Sequence, residues 1–172
     1  MKIEITANGK TIQTEINEEQ AKILGLTIDK PKTGYERVEK GSTYFFNDGL
    51  SDMNRTKEEK DMEDQDYYNG GNYYNNKTIA KNNARADKLL CCLRQWQALN
   101  DRVINWKNKD ICKYTIRYDY AMNMFNVIPN FCERCLNDVY FTTRETAQRA
   151  INVFKAELEW YFTQYQQRLD EE

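Results

Sequence analysis

The chain contains no histidine, only two prolines, and no glycine beyond Gly71. The missing imidazole excludes a Ser-His-Asp triad, a Cys-His dyad, a histidine-ligated metal and histidine acid–base chemistry. The missing glycines leave no glycine-rich loop to cradle a phosphate after position 71. No apolar run approaches the roughly 18–20 residues that span a bilayer. The opening Met1-Lys2-Ile3-Glu4-Ile5 lacks the apolar core of a signal peptide, which makes a soluble, cytoplasmic protein the expectation. Five cysteines, an odd number, argue against a disulfide framework and for a reducing compartment.

The 172 residues are 40% hydrophobic and 13% aromatic, enough for a packed core. The formal charge of -2 is a near-cancellation. Residues 1–71 carry 10 basic and 15 acidic side chains, residues 72–118 carry 10 and 3, and residues 119–172 carry 5 and 9. A basic middle thus lies between two acidic parts.

Periodicity divides the chain into residues 1–32, 33–110 and 111–172. In the first segment, alternation at Ile3 and Ile5, the turn pair Asn8-Gly9 and a return strand with Ile12 predict a hairpin. Asn17 then caps a short helix that Gly25 ends, and Lys30-Pro31-Lys32 reads as a linker. In the second segment, strands are expected at 35–38 and 43–47, a long exposed polar loop at 51–66 that admits a helical turn, and a short aromatic strand at Gly70-Gly71-Asn72-Tyr73-Tyr74. A long helix is expected over 77–103, with an apolar stripe through Ile79, Ala86, Leu89, Leu90, Leu93, Trp96 and Val103. In the third, strands are expected at 113–118, 124–128 and 139–141. A loop is expected at 130–137, and a helix capped by Thr142 or Thr143 and running to 168. Tyr73-Tyr74-Asn75-Asn76-Lys77-Thr78-Ile79-Ala80 aligns with Tyr140-Phe141-Thr142-Thr143-Arg144-Glu145-Thr146-Ala147, which suggests a repeated plan. The expected fold class is α+β: antiparallel meanders, each packed by a long helix, after a small N-terminal ββα element.

Three groups of side chains are candidates for function. The first is basic and aromatic: Lys77, Lys81, Arg85 and Lys88 at helical spacing, then Arg94, Arg102, Trp106, Lys107 and Lys109. Cations supply phosphate affinity and aromatics stack on unpaired bases; the plainer alternative is a solvated helix face. The second is an acidic loop with Glu58, Glu59, Asp61, Glu63, Asp64 and Asp66, which either is solvated or meets a basic surface on a partner. The third is the thiol set Cys112, Cys132 and Cys135. Zinc would need a fourth thiolate from Cys91 or Cys92, and no second CxxC exists. No cofactor is expected, and no carboxylate spacing marks a metal-dependent nuclease. The Ile3, Ile5 and Ile12 face of the hairpin offers a strand to a partner or to a second copy, which admits a homodimer.

The segment Lys40-Gly41-Ser42-Thr43-Tyr44-Phe45-Phe46, then Gly71-Asn72-Tyr73-Tyr74 and a helix containing Ala80, resembles small modules of phage and mobile-element proteins of Gram-positive bacteria. So do Trp106, residues 113–119, Val139-Tyr140-Phe141-Thr142 and residues 147–151, so that the resemblance covers about residues 33–165. Among proteins of this kind are anti-CRISPR inhibitors of type II effector nucleases. The resemblance implies an inhibitor of host defence in a bacterial cell, with the effector nuclease or its guide RNA as partner. An RNA-binding accessory protein of a mobile element and a guide-RNA-degrading nuclease or nuclease activator are the alternatives. The matching motifs are structural, and no catalytic residue is carried over.

Overall fold

A computed structural model describes residues 2–7, 10–25, 32–49 and 53–171. The pairs Asn8-Gly9 and Lys30-Pro31 lie outside the described residues. Two compact units are present, Met1–Lys32 and Thr33–Glu172. In the first, β1 (Lys2–Ala7) pairs antiparallel with β2 (Lys10–Glu15), placing Ile5 opposite Ile12. Helix α1 (Glu18–Ile23) follows. Asn17 caps it reciprocally: Gln20 N donates to Asn17 Oδ1, and Asn17 N donates to Gln20 Oε1. Ile5 and Ile12 are exposed.

The second unit is α+β and holds the same arrangement twice. In the first half, β3 (Thr43–Asn47) pairs with β4 (Met53–Lys57), and Tyr74 bridges the other side of β3 through Phe45. After α2 (Met62–Asn69) and this bridge comes α3 (Lys77–Asn100). In the second half, β5 (Lys113–Asp119) lies between β6 (Met124–Asn130) and β7 (Tyr140–Phe141), all antiparallel. Then come α4 (Arg144–Val153) and α5 (Lys155–Thr163). Each half is a hairpin whose first strand also pairs with a short aromatic segment leading into a helix. The aligned caps do equivalent work. Asn76 Oδ1 accepts from Thr78 N and Ile79 N, and Thr143 Oγ1 accepts from Thr146 N. Ala80 and Ala147, one turn in, are buried where the helix meets its sheet. Asn76→Ala should cost about 1 kcal/mol of stability, measured by urea unfolding, because two helix-end N–H groups lose their acceptor; no change would mean water replaces the cap.

The halves meet in the larger of two hydrophobic clusters; the smaller, of Tyr74, Ile79 and Ala80, lies within the first half. Leu89 and Leu93 of α3 pack with Val127, Phe141, Ala147, Ala150, Ile151 and Leu158, so residues 33–110 and 111–172 belong to a single unit. The expected helix stripe holds through Ile79, Ala86, Leu89 and Leu93, but α3 ends at Asn100, and Val103 is exposed beyond it. The C-terminal helix is offset at Phe154, whose ring lies edge-on to Trp96, and it ends at Thr163 instead of reaching 168. The following residues turn back onto α3. Asn82 Nδ2 donates to Gln166 O, Tyr165 OH donates to Asn83 Oδ1, and Leu169 N donates to Thr33 O.

Two expectations in the second segment are corrected. Residues 35–38 form no strand; their groups bond to side chains, with Val38 N donating to Tyr73 OH and Asn75 Nδ2 to Glu36 O. Gly34, at φ +98°, sits so close to Ile79 that a Cβ would lie 3.1 Å from its Cγ1. The partner of β3 is β4, within the segment expected to be an exposed loop. That loop is also where α2 forms, capped by Asp61 in a reciprocal box with Asp64.

Candidate nucleic-acid interface

Several charged side chains nominated by sequence serve the fold. Glu58 has a relative exposure of 0%. Its carboxylate accepts from Arg37 Nε at 3.1 Å and Nη2 at 2.8 Å, from Tyr73 OH at 2.8 Å and from Lys60 N at 2.9 Å. The Arg37 bonds hold its pKa below the usual carboxylate range, against the effect of burial. Asp64, also buried, accepts from Tyr44 OH at 2.8 Å and Glu59 N at 2.7 Å. Burial would raise its pKa, but these hydrogen bonds outweigh burial and lower it. Tyr44 and Tyr73 stack with centroids 4.1 Å apart. The acidic loop is therefore not a single solvated surface. Two of its acids are internal, Asp61 caps α2, and Glu59, Glu63 and Asp66 remain exposed.

The basic set divides in two. Lys77, Lys81, Arg85 and Lys88 line one exposed face of α3. Arg85 is occupied there: it grips Glu157 bidentately at 2.8 and 3.1 Å, and its guanidinium lies 3.9 Å from the Trp160 ring centroid. Arg94 is nine residues after Arg85, and at about 100° per residue it projects from the opposite side of the helix. There it joins Arg102 and Trp106.

Those three meet in a cleft of about 470 Å³. Asp101, just past α3, anchors one wall by accepting from Thr142 N at 2.7 Å and from Thr142 Oγ1. This bond ties the segment after α3 to the end of β7. The Trp106 ring stands edge-on to Tyr140 of β7, with centroids 4.9 Å apart and planes at 85°. Arg134 lies 5.1 Å from the Trp106 centroid. Lys113, 1% exposed, braces the cleft and is not available to a ligand. Its Nζ donates to Asn108 O at 2.7 Å and Phe131 O at 2.9 Å, joining the two loops that carry Trp106 and Arg134.

Arg94, Arg102 and Arg134 all line this cleft. Among the described residues none of the three guanidinium groups is paired with a carboxylate. The acids in the lining are engaged elsewhere, Asp101 with Thr142 and Asp138 with Arg117 at 2.8 Å. The cleft therefore presents three planar cations that have no carboxylate partner around a half-exposed indole, with the Asp101 carboxylate, held by neutral donors, in the same lining. Lys107 and Lys109 lie on an adjoining shallow surface with Asn105, Asn108 and Asp110.

Sequence reasoning missed Arg134 and Tyr140. Arg134 was visible only as an interior residue of the CxxC, and Tyr140 only as a strand residue; no local signal joins either to Trp106. Cys112, Cys132 and Cys135 carry free thiols, and no cluster of three or more metal-ligating side chains is found among the described residues. No described helix is long and apolar enough to cross a membrane. Comparison with protein-family profiles, curated proteins and solved structures returns no match to the chain.

Proposed function

We propose that this protein acts by binding single-stranded RNA in the Trp106 cleft. In the phage or mobile-element setting that the sequence resemblance implies, that RNA is the guide of a type II CRISPR effector, and the protein is an inhibitor that works by occlusion. The observation that carries the reading is the convergence of Arg94, Arg102 and Arg134, all without carboxylate partners, on the half-exposed ring of Trp106. Guanidinium groups take phosphate oxygens bidentately. An indole offers a face to an unstacked base, and this contact discriminates a single strand from a duplex whose bases are already stacked.

The test is fluorescence anisotropy of a labelled RNA oligonucleotide, single-stranded and annealed, over a range of salt. The single strand should bind more tightly. Trp106→Ala should weaken it about tenfold or more, as loss of one stacked base predicts. Arg94→Glu with Arg102→Glu should weaken it further and flatten the salt dependence by about 1.4 in log–log slope, for two phosphate contacts. Lys81→Glu, on the opposite face of α3, should change little. Equal binding of duplex, or unchanged binding by both cleft variants, would remove the cleft from consideration. A pull-down with a type II effector, with and without its guide, tests the setting; capture in neither state would overturn the inhibitor reading and leave RNA binding standing.

A further inference from the structure

A second groove, also of about 470 Å³, is bounded by α3, α5 and β5. Its lining includes Asp87 and Leu90 of α3, Ile116 of β5, and Tyr161, Phe162 and Tyr165. Tyr161 and Tyr165 stack with centroids 5.1 Å apart and planes at 17°, which puts an aromatic pair in the lining of the groove. Tyr165 OH is committed to Asn83 Oδ1 at 2.8 Å, so it does not serve Asp87.

Asp87 is the unusual member. Asp87 is an exposed residue of α3; among the described residues its carboxylate has no hydrogen bond and no ion pair, and partial desolvation raises its pKa with no compensating partner. Asp87 shares the groove lining with Tyr161 and Tyr165. The nearby cations are spoken for. Arg117, which also lines the groove, is bound to Asp138, Arg85 is bound to Glu157, and Lys88 has a partner of its own. The groove thus keeps one uncompensated negative charge beside aromatic faces.

This chain fills such a position once from within. On the other side of α3, about 200° round the helix, Arg85 pairs bidentately with Glu157 and lies 3.9 Å over the Trp160 ring. Carboxylate, guanidinium and aromatic ring form one unit there; the groove holds the carboxylate and the rings without the cation. We infer that the groove receives an arginine side chain of a partner protein, its guanidinium on the Asp87 carboxylate and its flat face on an outer face of the stacked Tyr161–Tyr165 pair. A planar, bidentate cation suits this pairing better than the compact, strongly hydrated ammonium of lysine. Leu136, which lines the groove and is exposed, would lie beside the incoming aliphatic stem. The inference does not depend on RNA binding, because Asp87 and the tyrosines lie outside the Trp106 cleft.

Nα-acetyl-arginine N-methylamide is the probe, titrated into the full chain while the tyrosine ring resonances are followed by NMR. Saturable shifts are expected at Tyr161 and Tyr165. The citrulline analogue, with the same shape and no charge, should bind about tenfold more weakly, and Asp87→Asn should reduce arginine binding to a similar degree. Asp87→Asn should fold with an unchanged Tm, since the residue is exposed and its carboxylate has no partner to lose, and should bind RNA as the parent does. Absence of shifts, equal binding of citrulline, equal binding of the lysine analogue, or undiminished binding by Asp87→Asn would each overturn the assignment.

Discussion

Glu58→Ala is expected to lower the free energy of unfolding at neutral pH by about 3–5 kcal/mol, toward the lower end because Arg37 keeps some contact with water. The carboxylate is fully buried and takes four hydrogen bonds, two of them from Arg37. Removing it leaves the guanidinium, the Tyr73 hydroxyl and the Lys60 amide without their acceptor in a space that water enters poorly. Chemical denaturation measures the loss, and a value under about 1 kcal/mol would mean that water or Gln65, already bonded to Arg37, replaces the acceptor. The same network sets an acid limit. Glu58 and Asp64 have folded-state pKa values below their unfolded ones, and Glu36, bonded by Thr33 and Asn75, is lowered to about 2. At low pH the unfolded chain therefore binds more protons than the folded one. The stability contributed is fully present above the unfolded carboxylate range of about 4, and is lost as pH falls through the lower folded values. Parent stability should fall steeply below about pH 4, and Glu58→Gln should show a shallower acid limb. Parallel limbs would assign acid sensitivity to other carboxylates.

Phe141→Ala should cost a comparable amount, about 3–5 kcal/mol. Phe141 has a relative exposure of 0%, pairs with Tyr114 across the sheet, and meets Trp96 edge-on at 6.2 Å. It is the point where β7 enters the core shared by α3 and α4. Truncation leaves a cavity among side chains from several elements, which cannot all collapse inward together. Phe141→Leu, which keeps much of the volume, should lose clearly less in the same denaturation experiment. Equal losses would trace the effect to the ring contact and not to filled space. Tyr140 is the preceding residue, so Phe141→Ala should also loosen the wall behind Trp106 and weaken the RNA binding proposed for that cleft at temperatures where the chain remains folded.

The α+β class and the repeated half were legible because their signals are local. Alternation over residues 113–118 matches β5, and Asn123 adopts the positive φ of 51° that its turn requires. Asn76 and Thr143 cap the helices that their spacing to Ala80 and Ala147 implied. The strand β4 was not legible. Met-Asn-Arg-Thr-Lys has no apolar alternation, and it is a strand because β3 offers it a ladder, with Tyr44 opposite Thr56. The acidic run misled for a related reason. Its density of carboxylates resembles a solvated loop, yet Arg37, 21 positions upstream, converts Glu58 into a core residue.

The candidate site was half visible. Trp106, Arg94 and Arg102 came from the basic, aromatic middle of the chain, but helix geometry put Arg85 and Arg94 on opposite faces and joined Arg94 to Arg134 from another loop. What can be known from residue order extends over a turn or two of backbone: periodicity, caps, turn residues, the absence of histidine and the charge of each block. Which carboxylate neutralises which guanidinium is set by distances of a few ångströms between residues dozens of positions apart. Coulomb and hydrogen-bond energies fall off over those distances, so the difference between Arg85 held by Glu157, Glu58 buried on Arg37, and Asp87 left without a cation arises only when the chain has packed.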